Sequence, residues 1–532
     1  MDRRDKLIAF LLAAVVLIAG YWWMVIGVCG IFHDDAIYVS TAKALATGQG
    51  YRLINLPGAP FQTKYPLLYP AILAFIWKLW PSFPSNLLAM QALSLLAGGA
   101  VTGLVYLYLV RFGYCTRGVA LAAGLLCATS FNFLYFSTIT FSEIPFALIL
   151  LAGLWALEEQ VRAPRSSIIR QLFLGILLAL PFMCRTIGVS LAPVGLFCLY
   201  RHRRPVRWVA MGASVLICPW LIWTQAISFY VPGDLFTEYY TNYLTWWYEH
   251  GLSFFMRILV YNVWYSMFAS GYVGFPGLER SLFSLESLPL SVCYFLLGII
   301  TWIGITKNAI KQQILPLYLI SYFGIIMFWP WPPFRFLVPL LPFLLAYLIG
   351  GILIITQRLT VIPGCRTAFI VAMGILLAAN LSSVFIQGQI NQKTRYPLLV
   401  RTNPPVHWSS HESMFNWLKL HTSPDDVIAS GLDTMVYLYT GRRAFRPFVS
   451  RPAAMFYGDP SQSLGTPADL LQVMRAYRAH YLVHTPMPGF GEEKLFAALI
   501  KNFQLEYPGV LQPVFLGEDP RFVIFAVRPG PE

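Results

Sequence analysis

Apolar positions run in long, almost uninterrupted stretches through the first 390 residues, and only afterwards break into short mixed patterns. A membrane-spanning helix needs roughly 20 apolar residues. About eleven stretches approach that length: 7–30, 86–110, 118–137, 144–157, 169–184, 187–200, 208–227, 287–305, 314–331, 335–356 and 367–386. The shortness of 169–184 and 187–200 leaves the count open by one or two. The chain starts Met-Asp-Arg-Arg-Asp-Lys and then runs apolar from Leu7 to Ile31. That exceeds the roughly 7–15-residue core of a cleavable signal peptide. The segment is therefore read as a retained first span with a cytoplasmic start.

Charge placement tests this map. The segments predicted to lie inside carry Arg3, Arg4 and Lys6, then Arg111 and Arg117, then Arg162, Arg165 and Arg170. They continue with Arg201, Arg203, Arg204 and Arg207, then Lys307 and Lys311, then Arg358 and Arg366. The short turns assigned outside, 138–143, 185–186 and 332–334, hold Arg185 as their one basic residue. This is the positive-inside pattern. It also places Tyr65–Trp80. Counting this segment as a span would invert every later loop, and it contains Pro66, Pro70 and Lys78, so it is read as an interfacial helix on the outer surface. Two outer loops are long, 32–85 and 228–286. The second is dense in Tyr239, Tyr240, Tyr243, Trp246, Trp247 and Tyr248, residues suited to a membrane interface or to stacking on sugar rings.

Beyond 390 the periodicities alternate between helix and strand. His411–His421 is amphipathic, with Ser409 and Ser410 as candidate caps. Thr466-Pro467-Ala468-Asp469 carries a capping Thr, a Pro at the first helical position and an acid in the first turn. Glu492–Phe503 reads as a further helix. Val427–Ser430, Tyr481–His484 and Phe522–Val527 read as strands. The expected architecture is a polytopic α-helical membrane module over 1–388 followed by a soluble α/β domain over 389–532. An odd number of spans puts that domain outside.

Of 532 residues, 57% are hydrophobic and only 12% charged, about half the charged fraction of a soluble protein. The net charge of +14 does not indicate a nucleic-acid partner, because the basic residues sit in small clusters between apolar runs. The eight cysteines fall in or beside apolar segments with no CxxC pair. A disulfide framework or a zinc site is not expected from that spacing.

The candidate chemistry lies at the outer ends of the spans. Asp34 and Asp35 follow the first span at once. Adjacent carboxylates at a membrane surface are costly unless used or solvated, and one could act as a general base. Solvated acids at a helix start are the plainer alternative. Glu143, in Phe141-Ser142-Glu143-Ile144-Pro145, is a second isolated acid at a span mouth; the helix macrodipole alone would favour it there. Lys64, Arg185 and Arg335 are cations at predicted outer helix ends, where basic residues are disfavoured. They could grip a phosphate or simply snorkel to headgroups. Tyr65, Asp234, Glu238 and His250 are weaker candidates for contact with acceptor or substrate. No Gly-rich phosphate loop, HExxH or serine elbow occurs.

These segments together resemble the GT-C glycosyltransferases, closest to the branch of protein O-mannosyltransferases and aminoarabinose transferases. The resemblance is carried by His33-Asp34-Asp35-Ala36-Ile37-Tyr38 with Ala42, Leu45 and Gly48, by Lys64-Tyr65-Pro66 with Pro70, and by Ser142-Glu143-Ile144-Pro145. It continues in Cys184-Arg185-Thr186 with Gly188, and in Arg335-Phe336-Leu337-Val338-Pro339 with Pro342. In the soluble part it rests on Pro424–Ser430 and Tyr439-Thr440-Gly441-Arg442-Arg443. It covers nearly the whole chain in order. It implies a polyprenyl-phosphate sugar donor, Asp34 as the catalytic carboxylate with Asp35 and Glu143 in support, and phosphate contacts from Lys64, Arg185 and Arg335. Two departures matter: Glu143 stands where many relatives have Asp, and Thr63 stands where some aminoarabinose transferases have a metal-binding Glu. No metal ligands are therefore assigned, and no cofactor is indicated.

The expected function is transfer of a sugar from a polyprenyl-phosphate donor to a lipid, glycan or protein acceptor, with inversion and a loop-1 Asp as base. A transporter or flippase is the alternative class; such proteins more often place polar residues at the bilayer midplane and show repeat symmetry. The expected location is a bacterial inner membrane, with active site and C-terminal domain extracytoplasmic. The sugar and the acceptor are not legible.

Overall fold

A computed structural model describes residues 2–163, 166–228, 251–272, 288–310, 313–358, 365–397, 404–458, 464–487 and 491–528. Helices dominate the first 394 residues. They are α1 (Arg3–Trp23), α2 (Asp34–Ala46), α3 (Leu68–Leu79), α4 (Leu87–Arg111), α5 (Arg117–Ala128), α6 (Phe131–Thr138), α7 (Glu143–Arg162) and α8 (Ile168–Cys184). A 3-10 turn, Thr186–Ser190, leads into α9 (Leu191–Arg201), then α10 (Arg207–Ser228), α11 (Gly251–Tyr272), α12 (Leu288–Ile310) and α13 (Ile314–Ile326). The short α14 (Phe334–Leu337) and a second 3-10 turn precede α15 (Leu341–Arg358) and α16 (Cys365–Thr394).

Among the described residues seven helices are long and apolar enough to cross a membrane, or eight if α5 and α6, bent by 59°, form one span. α8, α13 and the pair 186–201 are shorter apolar helices. Among the described residues a helix occupies most of each of the eleven stretches read from the sequence, though 24–30 and 327–331 are not helical. The segment read as interfacial forms α3, with Tyr69, Leu73 and Trp77 buried along one side. The reading of the second long loop needs correction. Residues 228–286 were expected as loop, yet α11 fills 22 of them as a helix. Its buried Asn262, Ser266 and Ser270 lower the hydropathy below that of a span while still facing protein.

The chain divides into two compact units: Met1–Met24, Gln91–Ile222 and Phe255–Gln389 form one; Val25–Met90, Trp223–Phe254 and Ile390–Glu532 form the other. In the first, small residues let helix backbones touch, as lipid-embedded packing requires. A Cβ added at Gly175 of α8 would lie 2.0 Å from the Val209 carbonyl, and one at Gly212 of α10 would lie 2.1 Å from the Leu172 carbonyl. At the far end, Arg117 donates to both oxygens of the buried Asp5, each at 2.9 Å, tying α5 to α1.

The second unit holds the loop segment 25–90 and the α/β domain. Its further elements are α17 (Trp408–His421), β1 (Ile428–Ser430), α18 (Asp433–Thr440), β2 (Ala444–Phe445), α19 (Pro452–Tyr457), α20 (Pro467–Ala476), β3 (Tyr481–His484), α21 (Glu492–Glu506), β4 (Leu511–Leu516) and β5 (Val523–Val527). The five-stranded sheet has the order β2-β1-β3-β5-β4. β1 runs parallel to β2 and β3, while β5 is antiparallel to β3 and β4. Ile428, Leu482 and Ile524 sit fully buried at its centre. The capping box at Thr466 and Asp469 forms as expected. Ser409 and Ser410 do not cap α17: they lie inside its first turn, and His407 holds the cap position.

Candidate active site

α2 opens immediately after a tight turn, and Asp35 is what closes that turn. Its Oδ2 accepts from the Gly30 N–H at 2.6 Å and its Oδ1 from the Phe32 N–H at 3.2 Å. The side chain is buried, and burial pushes its carboxyl above the usual carboxylate range against the pull of those N–H groups. Gly30 has φ +101°, and a Cβ there would sit 2.4 Å from Cβ of Met435. Only glycine meets both conditions.

Asp34, one residue earlier, is partly exposed. Its Oδ1 accepts from the Tyr65 hydroxyl at 2.7 Å. Tyr65 is held in turn: Gln62 Oε1 accepts the N–H groups of Lys64 and Tyr65 at 2.8 and 3.3 Å, and the Tyr51 hydroxyl donates to the Tyr65 carbonyl at 2.8 Å. Tyr38 packs edge-on to both Tyr65 and Tyr69 at 5.1 Å. The Lys64 ammonium feels the Asp34 carboxylate. Burial lowers its pKa to about 8; Asp34 opposes that shift and the nearby Arg446 guanidinium adds to it. Arg446, itself buried, is braced by Glu492 Oε2 at 2.6 Å, and Ser450 donates to the other oxygen of Glu492.

The α/β domain is stapled to this loop at three places. His33 Nε2 meets Asp433 Oδ1 at 2.8 Å, and Asn55 Nδ2 donates to Asp433 Oδ2 at 2.8 Å. The Tyr439 hydroxyl donates to the Gly27 carbonyl at 2.7 Å and accepts from the Cys29 N–H at 3.1 Å. The Ala444 N–H donates to the Asn55 carbonyl at 2.8 Å. Sequence reasoning did not single out Asp433 or Arg446, and it quoted Tyr439 only within the motif 439–443, with no partner assigned. Asp433 reads as an ordinary first-turn acid, and its partners lie some 400 positions away in the chain.

The other unit gathers the remaining candidates. Glu143, fully buried at the start of α7, takes Arg185 Nη1 at 2.8 Å and Arg335 Nη2 at 2.8 Å on its Oε1. Arg335 Nε reaches the same oxygen at 2.9 Å, and Arg185 Nη1 also donates to Ser142 Oγ at 3.0 Å. Each guanidinium lies over a ring, Arg185 over Phe336 at 5.2 Å and Arg335 over Phe141 at 4.4 Å. Gly188 makes the Arg185 turn: a Cβ there would fall 2.2 Å from the Pro181 carbonyl carbon. Two guanidiniums around one carboxylate leave one positive charge, the sign an anionic ligand needs.

The structure thus brings Asp34, Asp35, Lys64 and Tyr65 together, and separately brings Glu143, Arg185 and Arg335 together. Asp234, Glu238 and His250 lie outside the described residues, as do Tyr239, Tyr240, Tyr243, Trp246, Trp247 and Tyr248. Among the described residues no three His, Cys, Asp or Glu side chains gather as metal ligands.

No protein-family model matches the chain, and no curated protein matches it in sequence. Solved structures do. The crystal structure of ArnT from Cupriavidus metallidurans bound to undecaprenyl phosphate superposes with a TM-score of 0.52 at 11% identity, over 98% of this chain and 97% of that one. The archaeal oligosaccharyltransferase AglB from Archaeoglobus fulgidus, in complex with an inhibitory peptide and a dolichol-phosphate, gives 0.56 at 12% identity, over 99% of this chain and 74% of that one. The chain has the fold these proteins share, the GT-C fold: a polytopic helical membrane protein with a C-terminal α/β domain.

Proposed function

We propose that the chain is a membrane glycosyltransferase that moves a sugar from a polyprenyl-phosphate donor to an extracytoplasmic lipid, glycan or protein, in a bacterial inner membrane. The reading is carried by Asp34: a partly exposed carboxylate hydrogen-bonded to Tyr65 at 2.7 Å, with the Lys64 ammonium beside it. It gains weight from a fold shared with proteins whose structures hold undecaprenyl phosphate and dolichol-phosphate.

In this mechanism Asp34 takes the proton of the acceptor hydroxyl or amine as that atom bonds to the anomeric carbon. The carbon–oxygen bond to the carrier breaks, the electron pair leaves with the phosphate, and attack from the opposite face inverts the centre. Lys64 offsets the charge gathering on the departing phosphate. Asp35 spends both oxygens on backbone N–H groups, so it shapes the turn that presents Asp34 and is not the base. Arg185 and Arg335 form a second cationic centre suited to an anionic headgroup, with Glu143 fixing both.

Asp34→Asn keeps the shape and removes the base. A deletion strain complemented with it should lose about 10²–10⁴-fold of its envelope glycan or lipid product by mass spectrometry, the range a positioned base supplies. Binding of undecaprenyl phosphate to the purified variant should persist. Wild-type product levels from Asp34→Asn would refute the assignment.

A further inference from the structure

Asp433 sits at the start of α18 with its side chain fully buried, and both carboxylate oxygens are taken by the first outer loop. One oxygen holds the ring of His33 and the other the amide of Asn55, each at 2.8 Å. His33 is the residue directly before Asp34. It stands at φ +65°, a conformation uncommon for a residue with a side chain, and its carbonyl accepts the Ile37 N–H at 3.1 Å that begins α2. A backbone in that region persists where its surroundings hold it there. The Asp433–His33 bond is such a hold, and it acts one peptide unit from the carboxylate of Asp34.

We infer that Asp433 of the C-terminal domain is a positioning residue for Asp34, acting through His33 and Asn55 to fix the α2 N-terminus in its reactive geometry. The inference rests on the reading of Asp34 as the base, and it gives the soluble domain a part in the chemistry itself. Small displacements of a reacting group are expensive: about 1 Å can cost on the order of 10²-fold in rate.

Two substitutions separate geometry from charge. Asp433→Ala removes both hydrogen bonds. Asp433→Asn can keep both, because the Asn carbonyl still accepts from His33, and its NH2 can donate to Asn55 once that amide turns over. The Asn55 Oδ1 needed for this is buried and has no hydrogen-bond partner among the described residues. His33→Asn provides a third arm. Asn tolerates positive φ and is too short to reach Asp433.

The test uses the full chain in nanodiscs, with hydrogen exchange at amides 33–40 and undecaprenyl phosphate as binding probe, alongside product yield in the complemented deletion strain. Asp433→Ala and His33→Asn should raise exchange at 33–40 and cut product yield about tenfold or more, with carrier binding within about twofold of wild type. Asp433→Asn should stay within about threefold of wild type in yield. Wild-type yield from both Asp433→Ala and His33→Asn would overturn the inference, as would unchanged exchange at 33–40. If Asp34→Asn, run beside them, keeps wild-type yield, the base assignment has failed instead. Should Asp433→Ala not accumulate, His33→Asn against Asp433→Asn still decides.

Discussion

Arg335 closes on Glu143 with two of its nitrogens, Nε at 2.9 Å and Nη2 at 2.8 Å, and both reach the same oxygen. Arg185 comes to that oxygen as well, at 2.8 Å. A single carboxylate therefore neutralises the repulsion between two guanidiniums, and its length matters: the extra methylene of Glu over Asp sets where the arginines meet.

Glu143→Leu should leave two cations facing each other in a buried setting. A loss of about 3–5 kcal/mol is expected for breaking a buried ion pair from one side, measured as thermal unfolding in detergent. Glu143→Gln, which still accepts hydrogen bonds, should lose clearly less. Equal melting temperatures for Glu143→Leu and wild type would contradict the geometry described.

Lys64 carries a pH prediction. Its folded pKa, about 8, lies below the ordinary 10.5, so the folded chain gives up the proton first. Folding with Lys64 charged carries a penalty that is full below about 8 and is relieved as pH rises from there to 10.5. The functional effect runs the other way. The cation that would face a phosphate is lost as pH rises through its folded pKa of about 8, so affinity for undecaprenyl phosphate should fall between pH 7 and 9. Lys64→Arg, which stays charged, should flatten the fall. A titration by thermophoresis with the same slope in both proteins would exclude Lys64 from the contact.

His411 in α17 makes the α/β domain acid-sensitive. It is fully buried between Tyr396 and Trp408, stacked at 5.5 and 5.2 Å, with Phe522 edge-on at 4.7 Å. Burial drives its pKa from 6.5 to about 3, although Asp519, bound to Arg521, pulls the other way. The folded pKa is the lower one, so stability is full above 6.5 and drains as pH falls toward 3, where the unfolded chain holds the extra proton. Protection factors of amides 408–421 in the full chain, with observed exchange referred to the intrinsic rate at each pH, should fall across that range. His411→Phe should remove most of the dependence.

The helical half was legible because lipid exposure writes itself as long apolar runs. α11 escaped because Asn262, Ser266 and Ser270 are buried against protein, where hydropathy is no guide. The Asn262 amide donates to the carbonyls of Ile326 and Trp329, partners that no local pattern announces. β4 escaped for the opposite reason. Three of its six positions in a row are exposed, it holds Pro513, and its register shifts between Pro513 and Phe515, so neither alternation nor an apolar run marks it. Among the candidates, residue type picked out Asp34, Lys64, Arg185 and Arg335 singly. Which acid would claim which cation depends on contacts 42 and 192 residues apart, beyond anything spacing can encode.

The segment 25–90 and the sheet domain belong to one compact unit, sewn together at Gly27, Cys29, His33 and Asn55. The domain is consequently a poor cassette for exchange between homologues. A chimera that imports a foreign C-terminal half, while keeping the native loop, would face Asp433's two partners with the wrong surface. Fusion points should instead be chosen so that both segments travel together.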